Sequence, residues 1–90
     1  SSSPTFSVVN EYETKDNNII YHIDLYRLAS IDEALEIGID EYLYSGHTCF
    51  IEWPQSVEGL IFDEKVLCIE IESDGPKARI ISFSEMIIEE

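Results

Sequence analysis

The sequence predicts an α/β fold, a mixed β-sheet with short helices, and three observations carry that reading. Two short apolar runs, Ile19 to Asp24 and Thr48 to Glu52, each end on a carboxylate, and continuous apolar runs of this length behave as buried strands. Between them, Ser30-Ile31-Asp32-Glu33 has the pattern of a helix start, in which the serine hydroxyl accepts the N–H three residues on and the glutamate reaches back. Towards the end, Lys65 to Glu72 alternates, with Leu67, Ile69 and Ile71 on one face and Cys68, Glu70 and Glu72 on the other. That is a strand with one wet face.

The elements follow in order. Phe6 to Tyr12 is β-prone, with Phe6, Val8 and Val9 apolar, and Thr14-Lys15-Asp16-Asn17-Asn18 is turn chemistry. With Ile19 to Asp24 after it, this predicts a hairpin. The helix opened by Ser30 runs through Ala34, Leu35 and Ile37, and Gly38 stops it. Asp40 to Tyr44 predicts a second helical turn, closed by Ser45-Gly46. After Glu52, Pro54 suits the first position of another helix, which Gly59 can end. Asp74-Gly75 signals a hairpin turn, Lys77 to Phe83 returns as a strand, and Ser84 to Glu90 reads as the first turn of a helix. The predicted order is ββ-αα-β-α-ββ, without repeats or linkers.

Ninety residues make one domain or less, and a chain of this size hides roughly 60% of its unfolded surface. A hydrophobic fraction of 44% is too high for a disordered chain. Nineteen acids against five bases give a net charge of −14. Nucleic-acid affinity rests largely on neutralising phosphates with Lys and Arg, so direct binding of DNA or RNA by this chain alone is not expected, and anionic membrane surfaces are excluded by the same sign of charge. Cys49 and Cys68 sit in apolar strands and read as reduced core thiols, and with no CxxC or HxxxH spacing a zinc site is not expected. Without a signal peptide or an apolar run near twenty residues, the expected location is the cytoplasm.

The chemistry centres on the two acids. Open α/β sheets bind ligands outside the carboxyl ends of their strands. If the strands ending in Asp24 and Glu52 lie parallel and adjacent, both carboxylates converge on one edge, where a nucleotide-hydrolysing fold places its magnesium-organising and water-orienting acids. Read from the residues alone, each also fits a solvated strand end. Arg27 reads as a structural partner of Asp24 or of an acid on the following helix. His22, two residues before Asp24, shares its sheet face and reads as a structural hydrogen-bonding residue, not a general base.

Ser3-Pro4-Thr5-Phe6, Asn10-Glu11-Tyr12, His22-Ile23-Asp24-Leu25-Tyr26-Arg27, Glu33-Ala34-Leu35-Glu36-Ile37-Gly38 and Ile51-Glu52-Trp53-Pro54 together resemble the TsaE (YjeE) family. These are small bacterial P-loop ATPases needed for the threonylcarbamoyl modification of adenosine beside the tRNA anticodon. The resemblance runs from Ser3 to about Gly59, and the closing hairpin fits the family in outline. It implies an incomplete P-loop NTPase-like fold. The family begins with a strand, a Walker A loop of the GxxxxGK[ST] type and a helix. Here Gly38, Gly46, Gly59 and Gly75 lie far apart and none precedes Lys-Ser or Lys-Thr. The 90 residues therefore look like one partial domain, the C-terminal part of such an ATPase.

By the resemblance, Asp24 matches the Walker B-like acid that holds magnesium and Glu52 matches a water-orienting glutamate. Thr5 matches a threonine near the γ-phosphate and magnesium, and also fits a plain threonine at the start of a strand. Trp53 matches a tryptophan beside the nucleotide, and also fits a packing tryptophan. The implied cofactors are ATP and Mg2+ in the full-length parent, with no tight binding by this chain alone. The implied partners are TsaD and TsaB, through which tRNA is met. A rival reading is a non-catalytic acidic module that docks on a basic protein. Loss of the strand leading into the Walker A loop would also expose the edge of Ile19–Asp24, from which self-association is expected.

Overall fold

The computed structural model describes residues 8–62 and 64–89. They fall into two compact units, one ending at Leu60 and one beginning at Ile61. The first holds a three-stranded sheet of β1 (Val9–Glu13), β2 (Ile19–Asp24) and β3 (Thr48–Glu52) in the order β1-β2-β3. It also holds α1 (Ile31–Glu36), α2 (Ile39–Leu43) and a 3-10 helix, Pro54–Leu60. The second is an antiparallel hairpin of β4 (Lys65–Ser73) and β5 (Arg79–Ile87). The α/β class and the element order are those the sequence predicts.

β1 and β2 form the expected hairpin, antiparallel with Val9 opposite Ile23 and Glu13 opposite Ile19. Asn17 takes the left-handed conformation (φ 66°) that its short polar side chain tolerates, and Thr14 closes the turn through its bonds with Asn17 and Asn18. β2 pairs with β3 in parallel on its other side. That corrects one expectation: Ile19–Asp24 is the interior strand, hydrogen-bonded along both sides, and is not an exposed edge.

Alternation along β2 sorts its side chains. Ile23, with Leu25 just beyond the strand, is buried, while His22 and Asp24 lie on the opposite face. Cys49 and Ile51 of β3 pair with Tyr21 and Ile23 and pack against the same core. Ala34 of α1, Ile39 of α2 and Val57 of the 3-10 helix complete it, so the helical elements cover the Ile23 face. β3 is less buried than its apolar composition suggests. Thr48, Phe50 and Glu52 are exposed, because β3 contributes only one face to the core.

The helix start is a variant of the predicted capping box. Ser30 Oγ accepts the Glu33 N–H at 3.3 Å, and the Glu33 carboxylate reaches back one residue further than expected, to the Ala29 N–H at 2.9 Å. Gly38 lies between α1 and α2 at φ 80°, a left-handed conformation that glycine adopts without a Cβ penalty. Gly59 serves a different purpose: a Cβ there would come within 3.3 Å of Ile31 Cδ1. In the second unit, Asp74-Gly75 makes the predicted turn, with the Asp74 N–H on the Ala78 carbonyl. Residues 84–87 continue β5 rather than opening a helix, because the cross-strand ladder runs out to Lys65 opposite Ile87. Both cysteines are free thiols. Among the described residues no helix is long and apolar enough to cross a membrane.

Two predictions follow from this packing. Ile23→Ala removes a fully buried side chain from the centre of the core and is expected to destabilise the chain by about 2–5 kcal/mol, whereas Ser30→Ala at an exposed helix start costs about 1 kcal/mol. Denaturant titration of both variants checks the order, and a Ser30 effect exceeding that of Ile23 contradicts the assignment. The second concerns Cys49, whose thiol is pushed above its ordinary value of 9.0 by burial and donates to the Tyr42 carbonyl. A folded value above the unfolded one means that this contribution is complete below the unfolded value and lost as pH rises through the folded one. The unfolding midpoint is therefore expected to fall between pH 8 and pH 10, less steeply in Cys49→Ala; equal slopes contradict this.

Candidate functional site

The site is fixed by the register of two strands. β2 and β3 run parallel with Ile20 opposite Thr48, His22 opposite Phe50 and Asp24 opposite Glu52. Both acids therefore end their strands at the same carboxyl edge, as neighbours. The Leu25 N–H bonds to the Glu52 carbonyl at 3.1 Å, so the pairing continues one step past Asp24 and holds the two chain exits together. On the far side, the Asp24 N–H bonds to the Val8 carbonyl at 2.9 Å.

Each carboxylate has a distinct local partner. Asp24 Oδ1 accepts the Tyr26 N–H at 3.1 Å, a turn an aspartate makes with the backbone two residues on. That bond orients the carboxylate at the point where the chain leaves the sheet. Glu52 Oε2 lies 2.5 Å from His22 Nε2. His22 and Glu52 share a sheet face but are offset diagonally, since His22 stands opposite Phe50. The expected pairing of face between His22 and Asp24 is present, and the ring reaches across to the neighbouring strand.

Beyond the acids lies an aromatic rim. Trp53 has φ 57°, a left-handed conformation rare for a bulky residue and further disfavoured before Pro54, where the backbone is normally extended. Such positions cost about 1–3 kcal/mol and cluster at functional sites. Here the turn sends the chain from β3 straight into the 3-10 helix while leaving the indole 54% exposed. The indole packs on Tyr26 with ring centroids 5.0 Å apart, tilted by 56°. Both rings border a groove of about 310 Å3, with Leu25, Leu28, Ala29, Gln55 and Ser56. A bond from Ser56 Oγ to the Leu28 carbonyl (3.1 Å) ties its two walls together.

The structure thus brings Asp24, Glu52 and Trp53 to one sheet edge. Thr5 lies outside the described residues. Sequence reasoning missed three features: the His22–Glu52 contact, Tyr26 as the neighbour of Trp53, and the left-handed turn at Trp53. The spacing held a trace of the second, since Tyr26 follows Asp24 by two residues and Trp53 follows Glu52 by one.

Among the described residues no cluster of three or more His, Cys, Asp or Glu side chains could hold a metal. A metal held entirely by protein side chains needs such a cluster. Magnesium does not: it keeps several waters and is held by one or two carboxylates together with phosphate oxygens. Asp24, a hard oxygen donor at the carboxyl edge of β2, is of the kind that fits that ion.

Comparison with known proteins bears on what uses this edge. The family model described as "Threonylcarbamoyl adenosine biosynthesis protein TsaE" matches residues 1–81. The chain belongs to the TsaE family. The match extends past Gly59, where the motif resemblance ends, through β4 and into β5. A relative in Bacillus subtilis (strain 168), named tRNA threonylcarbamoyladenosine biosynthesis protein TsaE, is 35% identical over 99% of this chain and 58% of its own length. A Haemophilus influenzae protein of the same name is 38% identical over 93% of this chain and 53% of its own length. One from Rickettsia felis is 44% identical over 66% of this chain and 33% of its own length. The chain spans about half the length of the Bacillus and Haemophilus relatives.

Proposed function

We propose that this chain is the catalytic-edge portion of a magnesium-dependent ATPase that supports threonylcarbamoyladenosine formation in tRNA, the remainder of the protein supplying the phosphate-binding loop. The observation that carries the reading is the in-register parallel pairing of Asp24 with Glu52 at the carboxyl edge of the sheet. Family membership supports it, and so does the coverage of about half the length of the relatives. In P-loop NTPases the backbone N–H groups and lysine of the Walker A loop hold the β- and γ-phosphates, and no GxxxxGK[ST] run occurs among these 90 residues.

Within this reading Asp24 holds the magnesium ion, directly or through water. The ion, when bound, neutralises charge on the phosphate oxygens during transfer. Glu52 orients the attacking water towards the γ-phosphate. Trp53, with Tyr26, borders the nucleotide and shields the edge from bulk solvent, and Thr5, by its motif match, is assigned to the magnesium and γ-phosphate. Turnover drives cycles of the modification machinery, with TsaD- and TsaB-like proteins as partners and the cytoplasm as the place of action. A net charge of −14 accords with tRNA being met through those partners, because an acidic surface repels phosphates.

Two experiments test this. In the intact gene product, Asp24→Ala and Glu52→Ala are each expected to lower ATP turnover by roughly a hundredfold, the scale for losing one charge-stabilising group. Glu52→Ala should leave ATP affinity unchanged, since a water-orienting acid acts on the reaction and not on the ground state. Wild-type turnover in the Glu52 variant removes that residue from the mechanism, and an inactive intact protein favours a non-catalytic acidic docking module instead. The 90-residue chain alone should show no saturable change in Trp53 fluorescence with micromolar magnesium-ATP. A saturable change would mean that these residues hold the nucleotide without a phosphate loop.

A further inference from the structure

We infer that His22 is a positioning residue for Glu52: its imidazole holds the Glu52 carboxylate in place at the sheet edge. The inference rests on the ATPase reading above and adds a residue to it. It starts from the register. His22 stands opposite Phe50, and Glu52 lies two residues further along the same strand, so both side chains emerge on the same sheet face. The diagonal offset brings Nε2 of His22 to within 2.5 Å of Oε2 of Glu52.

Glu52 has little else to fix it. Its side chain is 56% exposed, β3 buries only its other face, and the core residues lie behind the sheet. An exposed glutamate samples many rotamers, and fixing such a chain costs conformational entropy. A carboxylate that must aim a water at a phosphorus atom works only in a narrow geometry, and a misplacement of about 1 Å can cost on the order of a hundredfold in rate. The imidazole is suited to limit that motion. It is stiffer than the side chain it holds, less exposed at 34%, and carried on the interior strand of the sheet. The contact engages one carboxylate oxygen, and orienting a water requires only one other.

Donation to a carboxylate requires the proton on Nε2, which leaves Nδ1 as the acceptor in the neutral ring. A glutamine places an N–H donor at nearly the same reach as Nε2 and cannot transfer a proton at neutral pH. Positioning and proton transfer by His22 are therefore separable by substitution.

The test has two arms. In the intact gene product, His22→Leu is expected to lower kcat by roughly tenfold to a hundredfold with KM for ATP little changed, while His22→Gln retains most of the rate. In a Glu52→Ala background, His22→Leu should cost nothing further, because two residues acting through one contact are not additive. In the 90-residue chain, the imidazole nitrogen resonances of His22 should shift on Glu52→Ala while those of His47 do not. Equal losses in the Leu and Gln variants, independent losses in the double variant, or unmoved His22 resonances each overturn the inference. An inactive wild-type protein overturns the ATPase reading and this role with it, whereas an active wild type insensitive to His22→Leu overturns the positioning role alone.

Discussion

The first unit depends on one pairing, the parallel ladder between β2 and β3. Parallel strands cannot be joined by a tight turn; they need a crossover, usually helical. Residues 25–47 supply it, and its two short helices carry Ala34 and Ile39 into the core beneath the sheet. The same ladder that demands the crossover also sets Ile23 beside Ile51 on the buried face and Asp24 beside Glu52 at the open edge. Because side chains alternate along a strand, a slip of one residue would reverse every one of these positions. Burial of Ile23 and Leu25 therefore holds the acids in register, and the chemistry at the edge is fixed by packing at the core.

Much of this was legible in the residues. The apolar runs located β2 and β3, Ser30 with Glu33 located α1, Gly38 and Gly46 located the ends of the helical turns, and Asp74-Gly75 located the last hairpin. These signals are local: each depends on side chains within a few residues of one another. Convergence of Asp24 and Glu52 was legible only as a conditional, since nothing within either run states that the two strands are adjacent and parallel. The structure supplies that condition.

What the sequence concealed arises across strands or against local preference. The diagonal reach of His22 to Glu52 spans 30 positions and follows from register alone. Trp53 before Pro54 would be expected to be extended, and its left-handed backbone is imposed by the change of direction from β3 into the 3-10 helix. The interior placement of β2 ran against an argument from a missing neighbour, because β1 and β3 occupy both of its sides. The end of β5 was lost for a further reason. Ser84-Glu85-Met86-Ile87 carries no strand alternation of its own, and it is held extended by its partners across the hairpin, Cys68 to Lys65.

Local features at the edge act together. Asp24 is oriented by the Tyr26 N–H, Tyr26 packs on Trp53, and the Trp53 turn begins immediately after Glu52, whose carbonyl in turn accepts the Leu25 N–H. The most direct measurement of whether this edge holds a magnesium nucleotide is paramagnetic broadening in the intact gene product with Mn2+ and ATP in place of Mg2+ and ATP. The expected result is loss of amide resonances at Asp24 to Tyr26 and at Glu52 and Trp53, with the Asn17–Asn18 turn at the opposite end of β2 unaffected. Broadening elsewhere with sharp resonances at Asp24 and Glu52 would contradict the assignment of the site.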